Sequence, residues 1–244
     1  IVTFDRTASI ATRVMREIVR DRRSLALIFL APLLVMALVG FSFSEKQDTL
    51  DRVAPALISV FTLLFTFVLT GISFLRERSQ GTLERLYVTP VGRGDVLIGY
   101  LLGFLIFAAL QSLLILLFTV FVVDVNYQGD VRQMFVVLIV LTVFGVNLGI
   151  FASTFARNEF QVVQFIPLLF APQIFLSGVL MPVEELPSYF QNPAEILPLT
   201  HAVRALRDIM LRGESLGDVV SELGVLAAYA VGLLAVAATT VRRT

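Results

Sequence analysis

Hydrophobic and polar positions along this chain separate into long blocks instead of interleaving with a helical or strand period. Six stretches, 25–43, 54–75, 96–123, 134–156, 162–181 and 223–241, contain no Asp, Glu, Lys or Arg. A bilayer core of about 30 Å is crossed by about 20 helical residues. Every block is therefore long enough to span, and the third, at 28 residues, must tilt, bend or protrude. All 19 basic and all 19 acidic residues lie between the blocks. A packed soluble bundle would show one apolar stripe per helix, not charge-free runs. The pattern predicts an all-α polytopic membrane protein: six transmembrane helices forming one transmembrane domain over 1–244.

The segments between the blocks carry the orientation and the remaining elements. Residues 1–24, 76–95, 157–161 and 242–244 hold 13 of the 19 Lys and Arg residues, and 44–53, 124–133 and 182–222 hold 6. Basic residues collect on the cytoplasmic side, so both termini and the 76–95 loop are expected there. Residues 7–24, "TASIATRVMREIVRDRRS", place Ile10, Val14 and Ile18, with Ala11 and Met15 alongside, at helical spacing. Arg13, Arg16, Arg20 and Arg23 fall largely on the other side. This predicts an amphipathic helix lying in the headgroup layer, attracted to anionic membrane lipid; the plainer alternative is a juxtamembrane tail. The long stretch 182–222 is punctuated by Pro182, Pro187, Pro193 and Pro198. It predicts short helices over the outer mouth, the last capped by Thr200 and stopped by Gly213.

Composition narrows the chemistry. Hydrophobic residues make up 57% and charged residues 16%, with zero formal net charge, which gives no reason to expect nucleic acid. There is no cysteine and a single histidine, so thiolate chemistry and multi-histidine metal centres are excluded. Residues 1–24 are too charged for a signal peptide, and the first apolar block is expected to stay in the mature protein. A chain opening on Ile1 is expected to lack a few residues of its natural N-terminus. No glycine-rich phosphate loop ending in Lys-Ser/Thr is present, so no ATP site is expected in this chain. A serine nucleophile fails as well: Ser177 in "FLSGVL" lacks the Gly-x-Ser pattern, and His201 belongs to an external helix. The chain is expected not to be an enzyme, with no cofactor and no metal of its own.

Polar residues inside the blocks are uncharged. Thr62, Thr66, Thr70 and Ser73 recur along one face of the second block. The fifth block carries Gln164, Pro167, Pro172, Gln173 and Ser177, and its prolines interrupt the backbone hydrogen-bond ladder. Thr62, Thr66, Gln164, Pro167, Pro172, Gln173 and Ser177 are candidate lining of a substrate path; most such residues otherwise bond to their own or a neighbouring helix. Gly99–Gly103 and Gly145–Gly149 would permit close helix approach. No block holds an acidic, basic or histidine residue, which argues against proton coupling.

The 76–95 loop begins "RERSQGTLERLYVTPVG". An anchor that only sets topology needs nothing beyond its arginines. This one adds Glu77, Glu84, a Gly81–Thr82 step and an amphipathic "LERLYV" ended by Pro90. Gly81 stops one helix and Thr82 caps a short second one whose Leu83, Leu86 and Tyr87 share a face. That is the form of a helix that docks into a partner's groove.

With "RERSQGTLERLYVTPV", "FLSGVLMPVEELP" and "NPAEILPLTHAVRALRDIMLRG" in this order, nearly the whole chain resembles the membrane subunits of type 2 ABC (ATP-binding cassette) transporters. It looks most like the short drug-resistance permeases of prokaryotes. His201 stands where such proteins commonly have tyrosine. The resemblance implies a multi-pass subunit of a prokaryotic cell membrane, paired with a second copy or close homologue. Two ABC ATPase subunits, which bind ATP and Mg, would drive it. It implies that Glu77, Gly81, Thr82, Leu83, Glu84 and Leu86, with Arg16 and Arg20 of the N-terminal helix, pass the ATPase motion to the spans. The external helices 183–212 would form an outer lid. The implied function is export of a hydrophobic or amphipathic substrate, a drug or lipid-like molecule. A separate ATPase is expected, since this length leaves no room for a fused one. The alternative is an ATP-independent facilitator or secondary carrier.

Overall fold

The computed structural model describes residues 4–43, 45–82 and 92–240. Their regular structure is helical: α1 (Phe4–Arg20), α2 (Arg22–Ser42), α3 (Gln47–Ser79), α4 (Arg93–Phe121), α5 (Val131–Ser153), α6 (Glu159–Leu176), α7 (Ser188–Glu195), α8 (Pro198–Arg212) and α9 (Val220–Thr240), with a 3-10 turn at Val183–Glu185. α2, α3, α4, α5, α6 and α9 are long and apolar enough to cross a membrane. The protein is an all-helical, multi-pass membrane protein.

α3 and α5 form the centre. Two thirds of the residues in their most apolar windows are buried (67%), against 17% for α2, α6 and α9. Between helices in lipid there is no gain from leaving water, so association rests on close packing of small residues. Gly145 and Gly149 of α5 supply it by meeting Thr66, Thr70 and Gly71 of α3. A Cβ at Gly149 would stand 2.8 Å from Thr70 Cβ and 2.9 Å from the Gly71 nitrogen. Leu63, Phe67, Leu138, Leu141 and Phe170 fill the space around this seam.

Several helix boundaries differ from the sequence expectation. The interfacial helix occupies Phe4–Arg20 instead of 7–24, and Asp21 separates it from α2. The fifth span ends at Leu176, not 181, because the chain turns through Gly178 in the left-handed region, at φ +74°, where a side chain would be strained. α8 begins at Pro198, whose missing N–H costs nothing in a first turn, with Leu197 as the capping residue. Thr200 therefore lies inside the helix, and its hydroxyl bonds Ala194 O at 2.7 Å and Ser177 Oγ at 3.1 Å. Gly213 stops α8 as expected, at φ +68°.

α8 is more than a surface cover. Leu199, Val203, Leu206, Ile209 and Met210 are buried in the same core as α3, α5 and α9. The segment before α5 closes on its far end, where the Gln128 amide donates to Met210 O at 2.9 Å.

Candidate functional site

Successive helical residues point about 100° apart, so three polar residues in a row address three neighbours. Arg76, Glu77 and Arg78, at the α1 end of α3, do this. Glu77 turns inward and is 3% exposed. It accepts two bonds from the Arg13 guanidinium of α1, at 2.9 and 2.7 Å, and one from the Tyr100 hydroxyl of α4, at 2.8 Å. Arg76 reaches Asp21, between α1 and α2, at 2.9 Å, and Glu159, in the first turn of α6, at 2.6 Å. Arg78 donates to the carbonyls of Thr154 and Ala156, both at 2.7 Å. These lie just past α5, where a cation also meets the negative end of the helix dipole.

The three contacts differ in strength. A buried carboxylate is costly unless paired, and removing one member of a buried pair strands the other. The Glu77 cluster is therefore the tightest joint. Arg76 and its partners are 39 to 49% exposed, and such pairs contribute about 0–1 kcal/mol.

α1 is also seated on α4 along its length. Ile10 and Val14 rest on Gly99 and Gly103. A Cβ at Gly99 would come within 2.7 Å of Ile10, and one at Gly103 within 2.9 Å of Val14. Thr7 donates to the buried Asp95 at 3.2 Å, and Asp95 caps α4 by accepting the Gly92 amide at 3.1 Å. The glycine spacing noted in α4 is thus the bed of the N-terminal helix.

Among the coupling candidates, Glu77 is central to this joint. Gly81 has φ +68° and its amide bonds Arg78 O at 3.1 Å, closing α3; Thr82 follows, half-buried. Leu83, Glu84 and Leu86 lie outside the described residues. Arg16 and Arg20 are exposed. Arg13, grouped with the outward arginines in the sequence, instead turns to Glu77: it sits at the margin of the Ile10–Val14 face, where a guanidinium on a long stem can swing either way. Arg13, Arg76, Arg78, Asp95 and Tyr100 were not singled out by sequence. The alternation of charge in "RER" hinted at Arg76 and Arg78 alone.

Of the path candidates, Gln164, Pro167 and Pro172 are exposed on α6, which runs unbroken through both prolines. Gln173 and Ser177 are buried. Gln173 Nε2 donates to Leu169 O at 3.2 Å, and its Oε1 has no partner among the described residues. Thr62 and Thr66 are buried inside the bundle, and Thr66 packs on Gly145. Among the described residues no group of three or more His, Asp or Glu could hold a metal.

Comparison with known proteins bears on this arrangement. A family model described as "ABC-2 type transporter" matches residues 6–211. The chain is 29% identical over 181 residues, 74% of its length, to the "Probable multidrug ABC transporter permease YbhR" of Escherichia coli, covering 49% of that protein. It is 29% identical over 188 residues, 77% of its length, to the "Linearmycin resistance permease protein LnrN" of Bacillus subtilis, covering 48%. It is 31% identical over 173 residues, 71% of its length, to "ABC transporter G family member 20" of Dictyostelium discoideum, covering 24%. The chain thus spans about half or less of the length of these curated relatives.

Proposed function

The chain belongs to the ABC-2 type transporter family, and on that premise we propose that it is membrane-spanning machinery of an ATP-driven exporter. It is worked by a separate ABC ATPase and paired with a second copy or a close homologue. The α1 end faces the cytoplasm of a prokaryotic cell, in line with the excess of basic residues there. The carrying observation is the Arg76–Glu77–Arg78 joint, which ties α1, α2, α4, α5 and α6 to the end of α3. Gly81, Thr82, Leu83, Glu84 and Leu86 follow directly. A push on that loop would therefore reach five helices at once. ATP and Mg bind in the partner, and this chain converts the partner's closure into movement of its spans.

The cargo is a hydrophobic or amphipathic molecule, in keeping with spans that hold no charge and with relatives named for multidrug and linearmycin resistance. The path runs along the exposed Gln164, Pro167 and Pro172 of α6, with Gln173 and Ser177 behind them and Thr62 and Thr66 supporting the wall from inside the bundle.

The test is reconstitution in vesicles with and without the cognate ATPase. Transport should require the ATPase, and Glu84→Arg should insert normally yet lose transport. Unaided transport would favour an ATP-independent facilitator, and normal transport by Glu84→Arg would remove the docking role.

A further inference from the structure

Behind the joint, α1, α2, α3 and α4 border a cavity of about 580 Å³, within the size range of sites for small organic ligands. Its walls are of two kinds. Toward the middle of the bundle they are apolar: Ile18, Ile28, Leu69, Ile72 and Phe104. Toward the α1 end they carry three carboxylates, Glu17, Asp21 and Glu77, and two guanidiniums, Arg20 and Arg76. A molecule filling it must be apolar at one end and polar at the other.

The ion pairs around the cavity decide the sign of the polar end. Arg76 is divided between Asp21 and Glu159. Arg13 is divided between Glu77, at 2.7 Å, and Glu17, at 3.6 Å. With Arg20 included, three guanidiniums face four carboxylates, Glu17, Asp21, Glu77 and Glu159. Glu17 holds the loosest of these contacts, and its side chain is 44% exposed.

We propose that this cavity binds an amphiphilic cation, its apolar tail against Ile28, Leu69 and Ile72 and its positive head at Glu17. Anionic amphiphiles are disfavoured by the excess carboxylate. The inference rests on the exporter reading only for the step from binding to transport; binding itself follows from the cavity.

The head site titrates. A hydrogen bond with Glu77 pushes the Glu17 carboxyl up to about 7; burial and the Glu77 charge add to this, and Arg13 opposes it. The other charged groups around it are Arg20 and Asp21 beside α1 and Arg76 from α3, while α2 presents Leu25, Leu27 and Ile28 and α4 presents Phe104 and the Tyr100 hydroxyl, which donates to Glu77. Binding of a permanent cation should therefore tighten as pH rises from about 6 to 8 and Glu17 ionises.

The experiment uses the full-length subunit in phosphatidylcholine nanodiscs, without ATP. It is titrated with a fluorescent dodecyltrimethylammonium probe and a neutral probe of the same tail. Glu17→Gln should weaken the cation about fivefold, the scale of a half-exposed ion pair, abolish the pH dependence and leave the neutral probe unchanged. Ile72→Trp, which fills the apolar wall and keeps every charge, should weaken both probes. Cation binding that is flat with pH in the unaltered protein overturns the proposal. So does a neutral probe that binds as tightly as the cation, or binding indifferent to both substitutions. Cation binding by a subunit that assembles with no ATPase breaks only the exporter reading; assembly without cation binding breaks only this site.

Discussion

Each end of the bundle holds a short amphipathic helix, and the two are held differently. α8 buries Leu199, Val203, Leu206, Ile209 and Met210 among α3, α5 and α9. Its polar ties, such as Arg204 to Glu195 at 2.5 Å, lie at the margin. α1 buries a thinner face, Ile10, Val14 and Ile18, on glycine hollows in α4, and its decisive tie is Arg13 to Glu77. Apolar packing is all-or-none, because a partly withdrawn helix leaves voids that nothing fills. A guanidinium between two carboxylates can change partner over a few ångströms without opening a void. The α8 end is therefore the harder of the two to shift by small steps, and the α1 end the easier.

The largest expected effect attacks the packed end. Leu206→Ala should cost about 3 kcal/mol, from lost contacts and the cavity left behind, with little dependence on salt or pH. Thermal unfolding of the detergent-solubilised subunit checks it, and a change under about 1 kcal/mol would mean that α8 is not part of the core.

Glu77→Gln comes next, at about 2 kcal/mol, because Arg13 loses the closer of its two carboxylate partners. The double variant Arg13→Gln/Glu77→Gln should cost less than the sum of the singles, the coupling expected of groups in contact. Additive costs would show that the pair is not formed.

Gly99→Ala should cost about 1 kcal/mol, since the new Cβ must push Ile10 aside. Hydrogen exchange should report the loss on α1 alone, leaving α8 protected; equal loosening of both ends would erase the distinction between them.

The smallest effect is with pH. Glu17 has its carboxyl raised in the folded protein to about 7 from 4.5. The fold therefore binds more protons than the unfolded chain between these values, and stability falls as pH rises through that window. Solvent screening at a partly exposed group keeps the loss below about 1 kcal/mol. Glu17→Gln should flatten the dependence at α1, and an unchanged slope would dissociate Glu17 from it.

Six charge-free blocks were enough to fix the spans and the class of fold, because a segment either can or cannot leave water on its own composition. Gly81 and Gly213 likewise announced where α3 and α8 stop, a matter settled within one turn of backbone. Glu77 stood out as an acid in a loop that needed only bases. The partner of Glu77 was not legible. Arg16 and Arg20 look as suitable as Arg13 on a helical wheel, and the choice depends on where α3 lies against α1, across 64 residues of sequence. Thr62 and Thr66 read equally well as path or seam until α5 was laid on them. Partitioning into the bilayer is a property of each segment by itself, so the sequence alone determines it. Which charges meet, and which face is covered, are properties of pairs of segments, and only the packed bundle decides them.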